Sequence, residues 1–165
     1  MRKHFEQQTK IGVALISEVD LTMRSRDQFP QLLAGLQYIF VTSGLNESVF
    51  KLLENKIYSK NNHTGRPGLS LWEILVLGAV RLNLNIDYDR LHYMSNSDQK
   101  LRGILGVHST TPDWDLGKEY KLRTLKDNVS LLDEETMRQI NELVTNAGHV
   151  LKKKRRRKGR KLGFD

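Results

Sequence analysis

Nine of the eleven residues from Leu151 to Lys161 are basic: Lys152, Lys153, Lys154, Arg155, Arg156, Arg157, Lys158, Arg160 and Lys161. Ammonium and guanidinium groups at this density neutralise phosphates. The chemistry they offer is polyanion binding, steeply dependent on salt and indifferent to base sequence. The rest of the chain is balanced. Of 27 Lys and Arg and 19 Asp and Glu, 18 of each sign precede Lys152, so the terminal segment carries the whole net charge of +8. A basic fold spreads charge over a face, whereas here a neutral body ends in a basic run. Such a run also serves as a solvated linker, and the two uses are compatible. Nuclear targeting is a third use, which presumes a nucleus.

Groups suited to bond-breaking chemistry are sparse. His4, His63, His92, His108 and His149 share no i,i+4 spacing that would turn two imidazoles toward one metal. HExxH, the Walker lysine loop, the GxSxG elbow and GxGxxG do not occur. Asp113 and Asp115, in TTPDWD, are a close acid pair in a linker. A hard cation needs more oxygen ligands on a rigid frame, and the favoured reading is a helix start with Thr111 as cap and Pro112 at the first position. Cysteine is absent, which rules out disulfides and thiolate zinc sites and fits a reducing cytoplasm. No catalytic residue, cofactor or metal site is expected in this chain.

Four side chains outside the tail have the chemistry of DNA readers. Arg66 lies in GRPG (65–68), whose GRP core suits a minor-groove hook, although the favoured reading is a turn at Pro67 and Gly68 that delivers the chain to the Ser70 cap. Arg90, Tyr93 and Asn96 lie in IDYDRLHYMSN. If the helices 71–85 and 88–96 form a helix-turn-helix, the second presents its outward side chains to the major groove. Leu91, Met94 and Tyr88 then face the core. Asp89, Tyr93 and Asn96 face away, with Arg90 and Ser97 beside them. Arg and Asn read bases well, whereas Asp89 repels phosphates. A plain helical hairpin has the same spacing.

The elements that must position these groups are helical throughout. LSLWEILVLGAVRLNLN opens with Ser70 and has Glu73 three residues later, a capping box flanked by Leu69 and Ile74 as a hydrophobic staple. Few polar positions interrupt it, so this helix is expected at the centre. Asn46 with Leu45 and Phe50, and Asp87 with Ile86 and Leu91, repeat the cap-and-staple pattern. Asp133 is followed by Glu134 and Glu135, suited to a helix N-terminus, with Leu132 and Met137 as staple. Pro30 fits the first turn of a helix ending near Gly44. The spacing predicts helices over 3–20, 30–42, 47–58, 71–85, 88–96, 98–105 and 134–150, with a further helical stretch from Lys118 to Asn128. Linkers are expected at 59–68 and 107–117.

The expected fold is therefore all-α: a compact helical domain with a helix-turn-helix-like hairpin and a basic C-terminal tail. Its parts are an N-terminal helix (1–28), a helical domain (29–150) and the basic segment (151–165). The most apolar run, Leu71 to Val80, is interrupted by Glu73 and is far shorter than the roughly 18 residues of a membrane span. The polar start MRKHFEQQTK has no secretory apolar core.

From His63 to Val107 the string HTGRPGLSLWEILVLGAVRLNLNIDYDRLHYMSNSDQKLRGILGV resembles the N-terminal domain of bacterial insertion-sequence transposases, the InsH N-terminal type. Gly65-Arg66-Pro67, Asp87 with Arg90-Leu91, and Leu101 to Val107 carry the resemblance. Thr124 to His149 is similar to the next block of one branch of the family, although Trp114 and Asp115 depart from that branch's Ser-Thr after Pro-Asp. The resemblance implies a bacterial, cytoplasmic DNA-binding protein whose partners are the element's terminal inverted repeats and full-length transposase or a second copy, with no membrane. It also implies a parent whose RNase H-like core uses three acids and Mg²⁺, with 151–165 as the basic linker to a catalytic domain absent from this chain. As such the fragment would bind or assemble without cutting. A small transcriptional regulator or interaction module with a nonspecific basic tail is the alternative.

Overall fold

The computed structural model describes residues 14–22, 26–60, 68–107 and 118–160 of the 165-residue chain, the side chains of 59–60 and 149–160 excepted. Within these, a 3-10 turn at Ile16–Glu18 precedes α1 (Gln28–Val41), α2 (Ser43–Lys60), α3 (Leu71–Leu84), α4 (Tyr88–Ser97), α5 (Gln99–Ile104), α6 (Leu122–Val129) and α7 (Glu134–Arg160). The class is all-α, and the described residues contain no strand. No helix among them is long and apolar enough to cross a membrane.

The capping box that marks the start of α3 is formed. Ser70 Oγ accepts from the Glu73 N–H at 3.3 Å, and Glu73 Oε2 accepts from the Ser70 N–H at 2.9 Å. Both staple residues, Leu69 and Ile74, are buried. Every residue from Leu71 to Val80 is buried, so α3 is the core helix onto which the others close. Phe40 of α1 tilts against Trp72 with ring centroids 4.9 Å apart. The Trp72 indole N–H donates to the Ile104 carbonyl at 2.8 Å, which satisfies the one polar atom of a fully buried ring. On another side Leu132 presses against Gly78: a Cβ there would lie 2.4 Å from Leu132 Cδ2.

Three expectations need correction. The helix 3–20 is not found over its described part. Residues 1–13 lie outside the description, and from Ala14 onward the backbone makes only the short turn, with Leu15 and Val19 extended. The reason is tertiary: the Gln37 amide on α1 donates to the Ile16 and Val19 carbonyls at 2.8 and 3.0 Å, replacing intrahelical partners. Ile16 and Leu21 are thereby buried as a strap rather than a helix.

The second correction is at the α1–α2 corner, where Gly44 does not end a helix and Asn46 does not cap one. Thr42 alone separates the two helices, at φ −97 and ψ 98. Its N–H closes α1 on Tyr38 O, and its carbonyl opens α2 by accepting from Asn46 N at 2.8 Å. Asn46 sits one turn inside α2, where its amide donates to Phe40 O at 3.2 Å and satisfies a carbonyl that α1 leaves open. Leu45 and Phe50 are buried as expected, although from within the helix.

The third concerns the C-terminal half. The stretch from Lys118 becomes helical only at Leu122, and α7 continues without a break past residue 150 to Arg160. Asp133 opens α7 as expected, accepting from the Thr136 N–H at 2.8 Å.

Candidate nucleic-acid interface

The hairpin of α3 and α4 is tight. Asn85 takes the left-handed conformation (φ 49, ψ 48), which Asn tolerates better than most residues. The Ile86 N–H returns to Arg81 O at 3.1 Å, closing the α3 C-terminus. Asp87 Oδ1 then accepts from the Arg90 N–H at 2.7 Å, capping α4 as its position predicts. Across the turn the Arg81 guanidinium lies 4.4 Å from the Tyr88 ring centre, a cation–π contact that holds the two helices together.

On α4, Leu91 is buried, while Tyr88 and Met94 are half-buried against the core. Asp89, Arg90, Tyr93 and Ser97 are exposed. Tyr93 is 62% accessible, and Arg90 lies over its ring at 5.6 Å. The geometry therefore brings Arg90 and Tyr93 together on the outward face. They border a shallow groove of about 470 Å³ whose apolar part is Phe29, Leu84, Ile86 and Met94. Asp27 and Asp98 line the same groove, and their carboxylates oppose a phosphate there as Asp89 does. This surface has mixed charge, unlike a phosphate-binding face.

Asn96 departs from the expected role. Its amide N–H₂ donates to Tyr120 O at 2.9 Å and to His92 O at 3.0 Å, while its carbonyl accepts from Tyr120 N at 2.9 Å. A bidentate adenine contact needs those same donor and acceptor positions. Asn96 is a clamp on the backbone of Tyr120. Arg66, Asp113 and Asp115 lie outside the described residues, as do His4, His63 and His108. No three His, Cys, Asp or Glu residues among those described are grouped to hold a metal.

The clamp belongs to a polar network that the sequence does not announce. Glu73 Oε1 accepts from the Tyr120 hydroxyl at 2.8 Å and pairs with the Lys118 ammonium. Glu73 Oε2 accepts from the Ser70 hydroxyl at 2.9 Å as well as from its N–H. Burial opposes ionisation of this carboxyl, but the Lys118 charge, with the Ser70 and Tyr120 donors, outweighs it and holds the carboxyl below its ordinary range. Burial, and then the neighbouring Glu73 charge, push the Tyr120 hydroxyl far above the ordinary phenol range, so it stays a donor. Arg102, itself buried, donates to Ser95 O at 2.9 Å and Lys118 O at 3.2 Å. The segment 118–120 is thus fixed to α3, α4 and α5 before the chain enters α6 and α7.

The basic run stands on the continuation of α7. Thr136, Met137 and Ile140 are buried, and Leu143, Val144 and Ala147 pack on the core. The same helix then carries residues 152–160. In its first half Arg138 pairs with Glu135 and with Glu142. After Glu142 the sequence has no acid until Asp165. Lys161 is outside the described residues.

Searches against protein-family models, curated proteins and solved structures find no match for this chain.

Proposed function

We propose that the chain binds double-stranded DNA as the helical N-terminal part of an insertion-sequence transposase, contributing recognition of the terminal inverted repeats and assembly rather than cleavage. The observation that carries the DNA-binding half of this reading is the charge layout: a neutral, densely packed body whose last helix runs into a segment of nine basic residues. The transposase half rests on the resemblance of 63–107. Phosphate contacts by Lys152–Lys161 supply affinity. Arg90 and Tyr93 supply the exposed, hydrogen-bonding and stacking groups of the hairpin.

The groove beside α4 favours a second reading, an interaction module or small regulator with a nonspecific basic tail. Its apolar lining, exposed Tyr93 and two carboxylates suit a protein partner better than a phosphate backbone. Fluorescence anisotropy separates the two, using duplexes that carry the inverted repeats flanking the gene and shuffled duplexes of equal length. The transposase reading expects preference for the repeat without added metal. Equal affinities, both abolished by deleting 152–161, would leave the nonspecific tail alone. Mg²⁺-dependent nicking by the purified chain would overturn the assignment of no cleavage.

A further inference from the structure

We infer that the segment Leu151–Arg160 binds duplex DNA as an α-helix laid in the major groove, held in line by α7, and that DNA stabilises this helix. The inference rests on the DNA-binding reading above and specifies how the contact is made. Two observations meet in it. α7 is continuous from core-packed residues such as Ile140 and Val144 to Arg160. From Lys152 onward almost every i,i+3 and i,i+4 pair of positions is basic with basic. Like charges at those spacings destabilise a helix, and the favourable end of the helix dipole covers only the last turn. In the first half of the same helix the basic Arg138 has acid partners in the chain, whereas no acid follows Glu142 before Asp165. Within the basic turns the sequence supplies no acid at helical spacing, and the phosphates of duplex DNA are a source of that counter-charge.

Helix geometry selects the source. At about 3.6 residues per turn, consecutive basic positions fall on every side of the axis. A helix roughly 10–12 Å across fits the B-form major groove, about 12 Å wide, with phosphates on both walls. The deep, narrow major groove of A-form RNA does not admit it. A single phosphorylated surface would use only one side of such a helix.

The test uses the full chain, a 20-base-pair DNA duplex, an RNA duplex of the same length, and a Leu151→Pro variant. Proline at 151 interrupts α7 while leaving every basic residue in place. Intrinsic fluorescence during urea unfolding, to which buried Trp72 contributes beside Trp114, verifies that the body of the variant is folded. Expected are a gain of far-UV helical signal when DNA is added, at least tenfold weaker binding of duplex RNA, and at least a tenfold loss of DNA affinity in the variant. Unchanged helical signal would overturn the stabilisation of the helix by DNA, and equal affinity for DNA and RNA or full affinity in Leu151→Pro would each overturn the helical mode, all while leaving DNA binding intact. No binding of DNA by the unaltered chain at low salt would instead remove the underlying reading.

Discussion

The Tyr120 hydroxyl donates to Glu73 Oε1 at 2.8 Å across 47 positions of sequence, and this bond joins the start of the central helix to the segment that leads into α6 and α7. Glu73 thus has two structural roles. It completes the capping box of α3, and it receives the first described residues after 108–117.

The bond is measurable. Tyr120→Phe removes a donor to a carboxylate and should cost about 2 kcal/mol in urea unfolding, since hydrogen bonds to charged groups contribute roughly 1.5–3 kcal/mol. Glu73→Leu loses the carboxylate half of the capping box and leaves the Tyr120 hydroxyl buried without its acceptor, for a larger loss of about 3 kcal/mol. The double variant should fall short of the sum by at least about 1 kcal/mol. Additive costs would mean that the two side chains do not cooperate.

The same pair sets two pH limits. The Glu73 carboxyl is held below its ordinary value of 4.5, so its contribution is complete above that pH and is lost as pH falls from 4.5 through the lower folded value. Tyr120 is raised above its ordinary value of 10.0, so its contribution is complete below pH 10.0 and declines as pH rises beyond it. Thermal midpoints should fall at both ends. Glu73→Gln should flatten the acid limb and Tyr120→Phe the alkaline one. An acid limb unchanged in Glu73→Gln would show that other carboxyls carry it.

Legibility in the sequence tracks the range of each interaction. The cap of α3 at Ser70, that of α4 at Asp87 and that of α7 at Asp133 are set by side chains within three residues, and all three stand where the spacing puts them. The Ala14–Val19 strap and the non-helical Lys118–Lys121 are decided by Gln37, Asn96 and Arg102, which are distant in sequence and carry no local signal. Gly44 misled because the corner is made by Thr42 with negative φ, which needs no glycine. Of the candidate site, exposure of Arg90 and Tyr93 was readable from helical period. The engagement of Asn96 was not, since its partner is the Tyr120 backbone 24 residues on. A lone acid, Glu73, in the apolar run of α3 is the hint of the network that the sequence offers, because buried charges need partners.

Gly78 is a packing requirement. Alanine is the better helix former by up to about 1 kcal/mol. Its Cβ, however, would meet three Leu132 atoms at 2.4, 3.1 and 3.2 Å, the Leu132 Cβ among them, so rotating the leucine cannot clear it. Gly78→Ala should therefore destabilise, by roughly 1–3 kcal/mol as overpacking does. Gly148→Ala, with open space around that position, should stabilise by a few tenths to about 1 kcal/mol. Calorimetric midpoints moving in opposite directions check both; a stabilised Gly78→Ala would mean that α3 and Leu132 are not in contact.

Asn96 and Arg90 should separate structure from recognition. Asn96→Ala leaves the Tyr120 N–H and C=O without their partner and should cost about 1–3 kcal/mol of stability. Once corrected for unfolded protein, its DNA affinity should match the unaltered chain. Arg90→Ala removes an exposed side chain, so stability should stay within about 0.5 kcal/mol. If α4 reads bases, Arg90→Ala should reduce preference for the repeat over a shuffled duplex. A loss of specificity in Asn96→Ala at full stability would restore its role as a reader.

The salt dependence of binding measures how charge is divided between hairpin and helix. Each phosphate neutralised on B-form DNA contributes about 0.9 to the slope of log affinity against log salt. Replacing Arg155, Arg156 and Arg157 together with Gln should lower that slope by up to roughly 2.7 if all three meet phosphates, and Arg90→Gln by no more than about 0.9. Asp27, Asp89 and Asp98 work against phosphate contact around α4, so the smaller hairpin effect is the electrostatic expectation. A slope that falls with Arg90→Gln but not with the triple variant would place the phosphate contacts on α4 and make the basic helix a bystander in DNA binding.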